Sequence, residues 1–189
     1  MPDNTVANVT AASPGLNGAI YMAPHGTTPP TSTAAALGDA FKALGYISED
    51  GVANANSPSS TAIKAWGGDT VYTTNDGRPD DYKFKAIEYL NEQVLKLAWG
   101  DDNVTGTSLA GGYEVKTNNK PLGDHVFVID MVHRNGVLER IVIPIGTVTA
   151  LGDVVYNSKD VTAADVTISA APDDDGNSSY RYIKAPASS

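Results

Sequence analysis

The stretch that most constrains this chain is "HVFVIDMVHRNGVLERIVIPIG", residues 125–146. Two apolar, β-branched runs flank an Asn135-Gly136 pair. That pair favours a two-residue type I′ turn, because both residues accept positive φ. Such a turn sets Val132 opposite Glu139 and Asp130 opposite Ile141 on one face. On the other face it sets His133 opposite Leu138, Met131 opposite Arg140 and Ile129 opposite Val142. Both faces are largely apolar. The hairpin is therefore expected at the centre of a sheet, or covered on one side by another protomer. With 189 residues the chain reads as one β-rich domain, long enough to bury a sizeable core.

The neighbouring segments repeat the strand signal. "GAIYMAP" (18–24) reads as a first strand, and "AAALGDAFKAL" (34–44) as a turn of helix weakened by Gly38. "TAIKAW" (61–66) and "TVYTT" (70–74) form a hairpin around Gly67-Gly68-Asp69. In "YKFKAIEY" (82–89), Tyr82, Phe84 and Ala86 share one face and Lys83 and Lys85 the other, the pattern of a half-buried strand. "GGYEVKT", "ADVTISA" and "YRYIK" add three more strands. Residues 1–17 are small and polar and read as a flexible arm before a single domain, 18–189. Residues 48–60 are polar with few large apolar groups and read as an extended, mobile loop.

One segment has helical spacing. In "YLNEQVLKLAWG" (89–100), Asn91 is the expected N-cap and Glu92 sits at the positive end of the helix dipole. Leu90 is placed to staple onto Leu95, and Val94, Leu95 and Ala98 form one stripe. Gly100 stops the helix as an αL residue. An isolated helix this short is marginal, so packing on the sheet must hold it.

The search for chemistry finds little. With no cysteine, disulfides, thiolate nucleophiles and cysteine metal sites are excluded. His25, His125 and His133 are scattered and read as ordinary strand and loop histidines. "DDDGNS" (173–178) fails the calcium-loop pattern at Ser178 and Lys184, and reads as a solvated turn. Asp80-Asp81 and Asp101-Asp102 are adjacent pairs whose side chains diverge, a poor acid–base arrangement. No enzyme constellation and no cofactor motif is present in the sequence. No apolar run approaches the roughly 20 residues of a membrane helix. The net charge of −9 excludes a general phosphate-neutralising surface. It serves solubility, or a surface that faces nucleic acid without holding it. Trp66 and Trp99 read equally as core residues and as interface anchors.

"GAIYMAPHGTTPPT", "LGYISEDGV", "IKAWGGDTVYTT" and "YLNEQVLKLAWGDDNVTG", in that order, resemble the tail tube (major tail) proteins of long, non-contractile-tailed bacteriophages. The likeness is dense over residues 18–106 and looser through 125–146 and the last strands. It implies a mainly β, sandwich- or barrel-like fold with one short helix packed beside the sheets. It implies hexameric rings stacked into a hollow tube around a tape-measure protein. Tail terminator and baseplate or tail-tip proteins are further implied partners. The implied place is the virion tail, assembled in the host cytoplasm, with DNA passing through the lumen during ejection without specific binding. No cofactor and no membrane is implied.

On that basis Asp80, Asp81, Glu88, Asp130 and Glu139 are candidates to face the lumen. Trp66, Tyr72, Trp99, Glu49 and Asp50 are candidates for contacts between subunits, with the 48–60 segment between rings. The alternatives are the inner tube of a contractile tail or injection system, and a carbohydrate-binding β-sandwich module of a tail or surface protein.

Overall fold

Turn residues cut the chain into short strands, and the computed structural model describes residues 6–15 and 18–186. In chain order these are β1 (Ala12–Pro14), β2 (Ile20–Pro24), β3 (Lys42–Ala43), β4 (Ile47–Ala55), β5 (Ser59–Lys64), β6 (Thr70–Gly77) and β7 (Asp81–Ala86). The helix α1 (Glu92–Trp99) follows, then β8 (Val104–Thr105), β9 (Glu114–Val115), β10 (Asp124–His133), β11 (Leu138–Leu151), β12 (Ala164–Ala170) and β13 (Tyr180–Lys184). With 44% strand and 9% helix, the fold is mainly β and sandwich-like.

Nine strands form one antiparallel sheet: seven run in the order β3-β2-β10-β11-β12-β7-β4, and β1 and β13 join beside β10 and β11. The two long central strands each serve two partners on their outer edge. β10 pairs with β2 along 125–129 and with β1 along 131–133. β11 pairs with β13 along 138–142 and with β12 along 146–151. The change of partner on β11 brackets Pro144, which has no N–H to give a ladder. Gly146 follows because a Cβ there would lie 2.6 Å from the Phe127 ring. The β10–β11 ladder is also irregular between His125 and Phe127, and the sheet bends there.

The bend lets the sheet enclose one core. Ile20 and Met22 of β2, Phe127 and Ile129 of β10, and Ile141 and Ile143 of β11 meet Tyr82, Phe84 and Ala86 of β7 and Val166 and Ile168 of β12. Helix α1 adds Val94 and Leu97 to the same cluster. A second cluster covers the opposite face of β2–β10–β11. There Val126, Val128 and Val142 lie under Phe41 and Leu37 of the 25–41 segment and Tyr180 and Tyr182 of β13. Both faces of the central hairpin are thus covered by the chain itself.

The helix forms where its spacing predicts. The Asn91 side chain accepts the Gln93 N–H at 2.9 Å, and Lys96 pairs with Glu92 at 2.6 Å. Two details differ. Leu90 is largely exposed, so it does not act as the staple; burial of Val94, Leu95, Leu97 and Ala98 holds the helix instead. Gly100 has positive φ (95°) but ψ of 143°, outside the αL region, while its N–H still closes the last turn on Lys96.

Other expectations are corrected. The central turn contains three residues, Arg134–Gly136, and not two: the His133 N–H closes it on the Val137 carbonyl at 2.7 Å. Its register is Met131↔Glu139 and Asp130↔Arg140, one residue from the two-residue expectation. Asp130 and Glu139 therefore lie on opposite faces. The physical reason is tertiary. The Arg134 N–H donates to the Ala11 carbonyl and to Thr10 Oγ1, so Arg134 is drawn out of the ladder. Those bonds also tie the part of the expected flexible arm around residues 10–15 to β10; residues 1–5 and 16–17 of that arm lie outside the described residues.

Of the expected 48–60 loop, residues 48–55 lie in strand β4 (Ile47–Ala55), paired with β7 and interrupted by a bulge between Ile47 and Val52. Backbone pairing replaces the missing apolar burial there. The 34–44 segment is not helical: Arg140 takes the Ser32 and Ala35 carbonyls, acceptors that a helical turn through those residues would use. Of 111–117, only Glu114–Val115 is strand.

Candidate assembly surfaces

β5 and β6 form their own two-stranded sheet outside the nine-stranded one. The register sets Ile63 opposite Tyr72 and Thr61 opposite Thr74. A hairpin normally buries one face. Here Ile63, Val71 and Tyr72 are all exposed, and Trp66 beside the Gly67-Gly68 turn has a relative exposure of 106%. The hairpin keeps its shape through its own polar bonds. Thr61 and Thr74 donate to Asp76, at 2.5 and 2.8 Å. These bonds hold the Asp76 carboxyl below its usual range. An isolated hairpin with its apolar groups in water is marginal, so this one is shaped to be covered by something else.

The second surface is the free edge of β4. Its inner edge pairs with β7, and its outer edge carries Glu49 and Asp50 at the bulge. Charges and a bulge on an edge strand discourage indiscriminate pairing while leaving the edge available. A slot of about 480 Å³ separates this edge from β1, lined by Pro14, Ser48, Val52, Ile129 and Met131. A third surface is a broad groove of about 990 Å³ beside the N-terminus of α1. Tyr89 and Tyr156 meet there edge to face, with their hydroxyls 2.8 Å apart.

The five carboxylates singled out in the sequence do not gather at one place, and each has a partner within the chain. Asp80 is buried and accepts from Asn54 and Asn56 at 2.7 Å each, from Ser179 at 2.6 Å and from Tyr82 at 3.3 Å. Burial pushes its carboxyl up, but the Ser179, Asn56, Asn54 and Tyr82 donors outweigh that, and the net shift is downward. The Asp81 carboxylate accepts the Ser169 hydroxyl at 2.5 Å. Glu88 accepts the Tyr46 N–H at 2.9 Å and folds over Gly45, where a Cβ would strike its carboxyl. Asp130 is held by both the Nε and the second guanidinium nitrogen of Arg140, at 2.6 and 2.8 Å. Glu139 binds His133 at 2.5 Å and Arg181 at 3.3 Å.

Of the residues singled out for contacts between subunits, Trp66 and Tyr72 lie together on the projecting hairpin, and Glu49 and Asp50 on the β4 edge. Trp99 is separate. It ends α1, half-buried, beside Tyr89, Leu95 and Val115. The β4 edge and the α1 groove escape sequence reading, because both are assembled from segments far apart in the chain. The hairpin was legible as a hairpin, and its lack of a buried face was not.

Several surfaces prepared for contact point to assembly, and the family comparison agrees. A profile of the family described as "Phage tail tube protein" matches residues 1–188. The chain belongs to the phage tail tube proteins. It is a structural component of the phage tail, and the role implied by the family is not enzymatic. No curated protein matches it. Among solved structures, the chain is similar to the cap that terminates the tube of the anti-feeding prophage, determined by cryo-electron microscopy. That likeness has a TM-score of 0.41 and 9% identity, and covers 92% of this chain and 93% of the other.

Proposed function

We propose that this tail tube protein forms hexameric rings that stack into the hollow tube of a long, non-contractile phage tail and conduct DNA during ejection. The observation that supports this best is the projecting β5–β6 hairpin, an element with its apolar groups turned outward. A stacking contact between rings is heterologous and does not close, so one copy must present a protrusion to a different surface of the next. Contacts within a ring close on themselves, and the free β4 edge suits strand addition from a neighbour. A tape-measure protein fills the lumen before ejection. A tail terminator and a baseplate or tail-tip complex bound the two ends.

The lumen role proposed for the carboxylates narrows. Arg140 neutralises Asp130, and Arg181 neutralises Glu139, which also bonds His133. Asp80, Asp81 and Glu88 have no cationic partner among the described residues, and Asp80 is buried. Asp81 and Glu88 are the better sources of a repelling field, which lets DNA slide without binding. Phage carrying Asp81→Asn should assemble normally and eject DNA more slowly. Unchanged ejection kinetics would remove Asp81 from the lumen. Electron microscopy and sedimentation velocity of the concentrated protein test the whole reading. Hollow tubes or six-fold rings support it, and a persistent monomer at every concentration counts against it.

A further inference from the structure

The same chain carries an apolar protrusion and an apolar recess. The protrusion is the hairpin tip, where Trp66 is wholly exposed. The recess is the groove beside α1, whose apolar lining includes Leu90, Leu109 and Val161, all more than half exposed, with Tyr89, Tyr113 and Tyr156. At about 990 Å³ it is roomy enough for an indole and the turn that carries it. Water-exposed apolar area of this kind on both elements favours their mutual burial.

The charges also correspond. Lys64 and Asp69 flank Trp66, and neither forms an ion pair within the described residues. The groove presents exposed Lys42 together with Glu88, while its Glu92 is already paired with Lys96. Each charge of the tip thus finds an opposite charge at the recess, which orients an encounter. The tip needs no rearrangement to enter. Gly67 has open space around it, and the strands behind it are braced by the Asp76 bonds.

We propose that the β5–β6 hairpin of one copy inserts Trp66 into the α1 groove of a second copy of this chain. The contact is heterologous: it uses one patch on the giver and a different patch on the receiver, and so it propagates from copy to copy. It rests on the tube reading above and names the receiving site for its stacking contact. Tyr89 and Tyr156, whose paired rings line the groove, are then packing partners of an incoming indole. Trp66 is the anchor, the residue type most often found to dominate such contacts.

The chain has no cysteine, so engineered thiols report the contact cleanly. Gly67→Cys and Leu109→Cys are made separately, each with thermal unfolding checked against the parent. The two proteins are mixed, concentrated and oxidised mildly, with and without visible tubes. A bond between position 67 of one chain and position 109 of the other can arise only between copies. Its formation, and a rise of at least about tenfold in the concentration needed for assembly of Trp66→Ala, are the expected results. If tubes form without a 67–109 bond, or if Trp66→Ala assembles as the parent does, the docking is overturned and the tube reading stands. A 67–67 bond in place of 67–109 overturns it in favour of tip-to-tip pairing. If neither bond nor tube forms from any of these proteins, both readings fall.

Discussion

Asp80 shows how a residue that looks functional in sequence is spent on structure. Its two oxygens gather Asn54 and Asn56 from the β4 end, Tyr82 from β7 and Ser179 from the segment before β13. Substitution by asparagine keeps the size but removes the charge, so the Asn54 and Asn56 amides lose a charged acceptor and the Ser179 and Tyr82 hydroxyls must turn from donors into acceptors. The expected cost is about 1–3 kcal/mol of folding stability. Its pH dependence has a definite sign. The folded carboxyl titrates below its ordinary value, so its stabilisation is present above that ordinary range, near about pH 4, and is lost as pH falls through the folded value. Thermal unfolding of parent and Asp80→Asn should differ most near neutral pH and converge on acidification. A gap that stays constant down to about pH 2 would show that the Asp80 charge does not contribute in this way.

At the scale of elements, Arg140 fixes the 25–41 segment over the central hairpin. One side chain binds the Asp130 carboxylate and the carbonyls of Ser32 and Ala35. That segment in turn places Phe41 and Leu37 over Val126, Val128 and Val142. Arg140→Ala should cost up to about 3 kcal/mol, the low end for a broken ion pair because Asp130 keeps some contact with water. Limited proteolysis should then cut first within residues 25–40. A cleavage pattern like the parent's would mean that Phe41 and Leu37 hold the segment without the arginine. The central hairpin illustrates the same coupling. Asn135-Gly136 marked the turn correctly, with Asn135 at φ 69° and Gly136 at φ 75°. The loop length was set by Thr10 and Ala11, more than a hundred residues away in the chain.

At the scale of the molecule, the body and the projecting hairpin are separable in energy. The core is enclosed by β2, β7, β10, β11, β12 and α1, and no residue of β5 or β6 belongs to it. Replacing residues 59–77 by a short Gly-Ser link should leave the unfolding midpoint nearly unchanged and abolish stacking into tubes. Tubes of normal length from that variant, seen by electron microscopy, would remove the hairpin from the contact between rings. Deleting residues 48–60, the segment first expected to be a loop, is a different experiment. It removes most of β4 from its ladder with β7 and takes Asn54 and Asn56 from Asp80, so unfolding is the expected result.

Local signals sufficed where neighbours in sequence supply the physics. The helix followed from a cap, a stripe and a glycine stop. The strands β2, β7, β12 and β13 followed from short runs of apolar and β-branched residues, and the Gly67-Gly68 and Asn135-Gly136 turns from backbone freedom. The resemblance of "GAIYMAPHGTTPPT" and the segments after it placed the chain in its family. What needed the tertiary structure is what depends on distant partners. The register of the central hairpin depended on Thr10 and Ala11, and the strand at 47–55 on pairing with β7. The partner of each carboxylate depended on the fold: Arg140 for Asp130, Arg181 for Glu139, Ser169 for Asp81 and Ser179 for Asp80. Whether Trp66 was core or surface could not be read from a tryptophan beside two glycines; it was decided by β5 and β6 forming a sheet of their own, with no sheet face over it among the described residues.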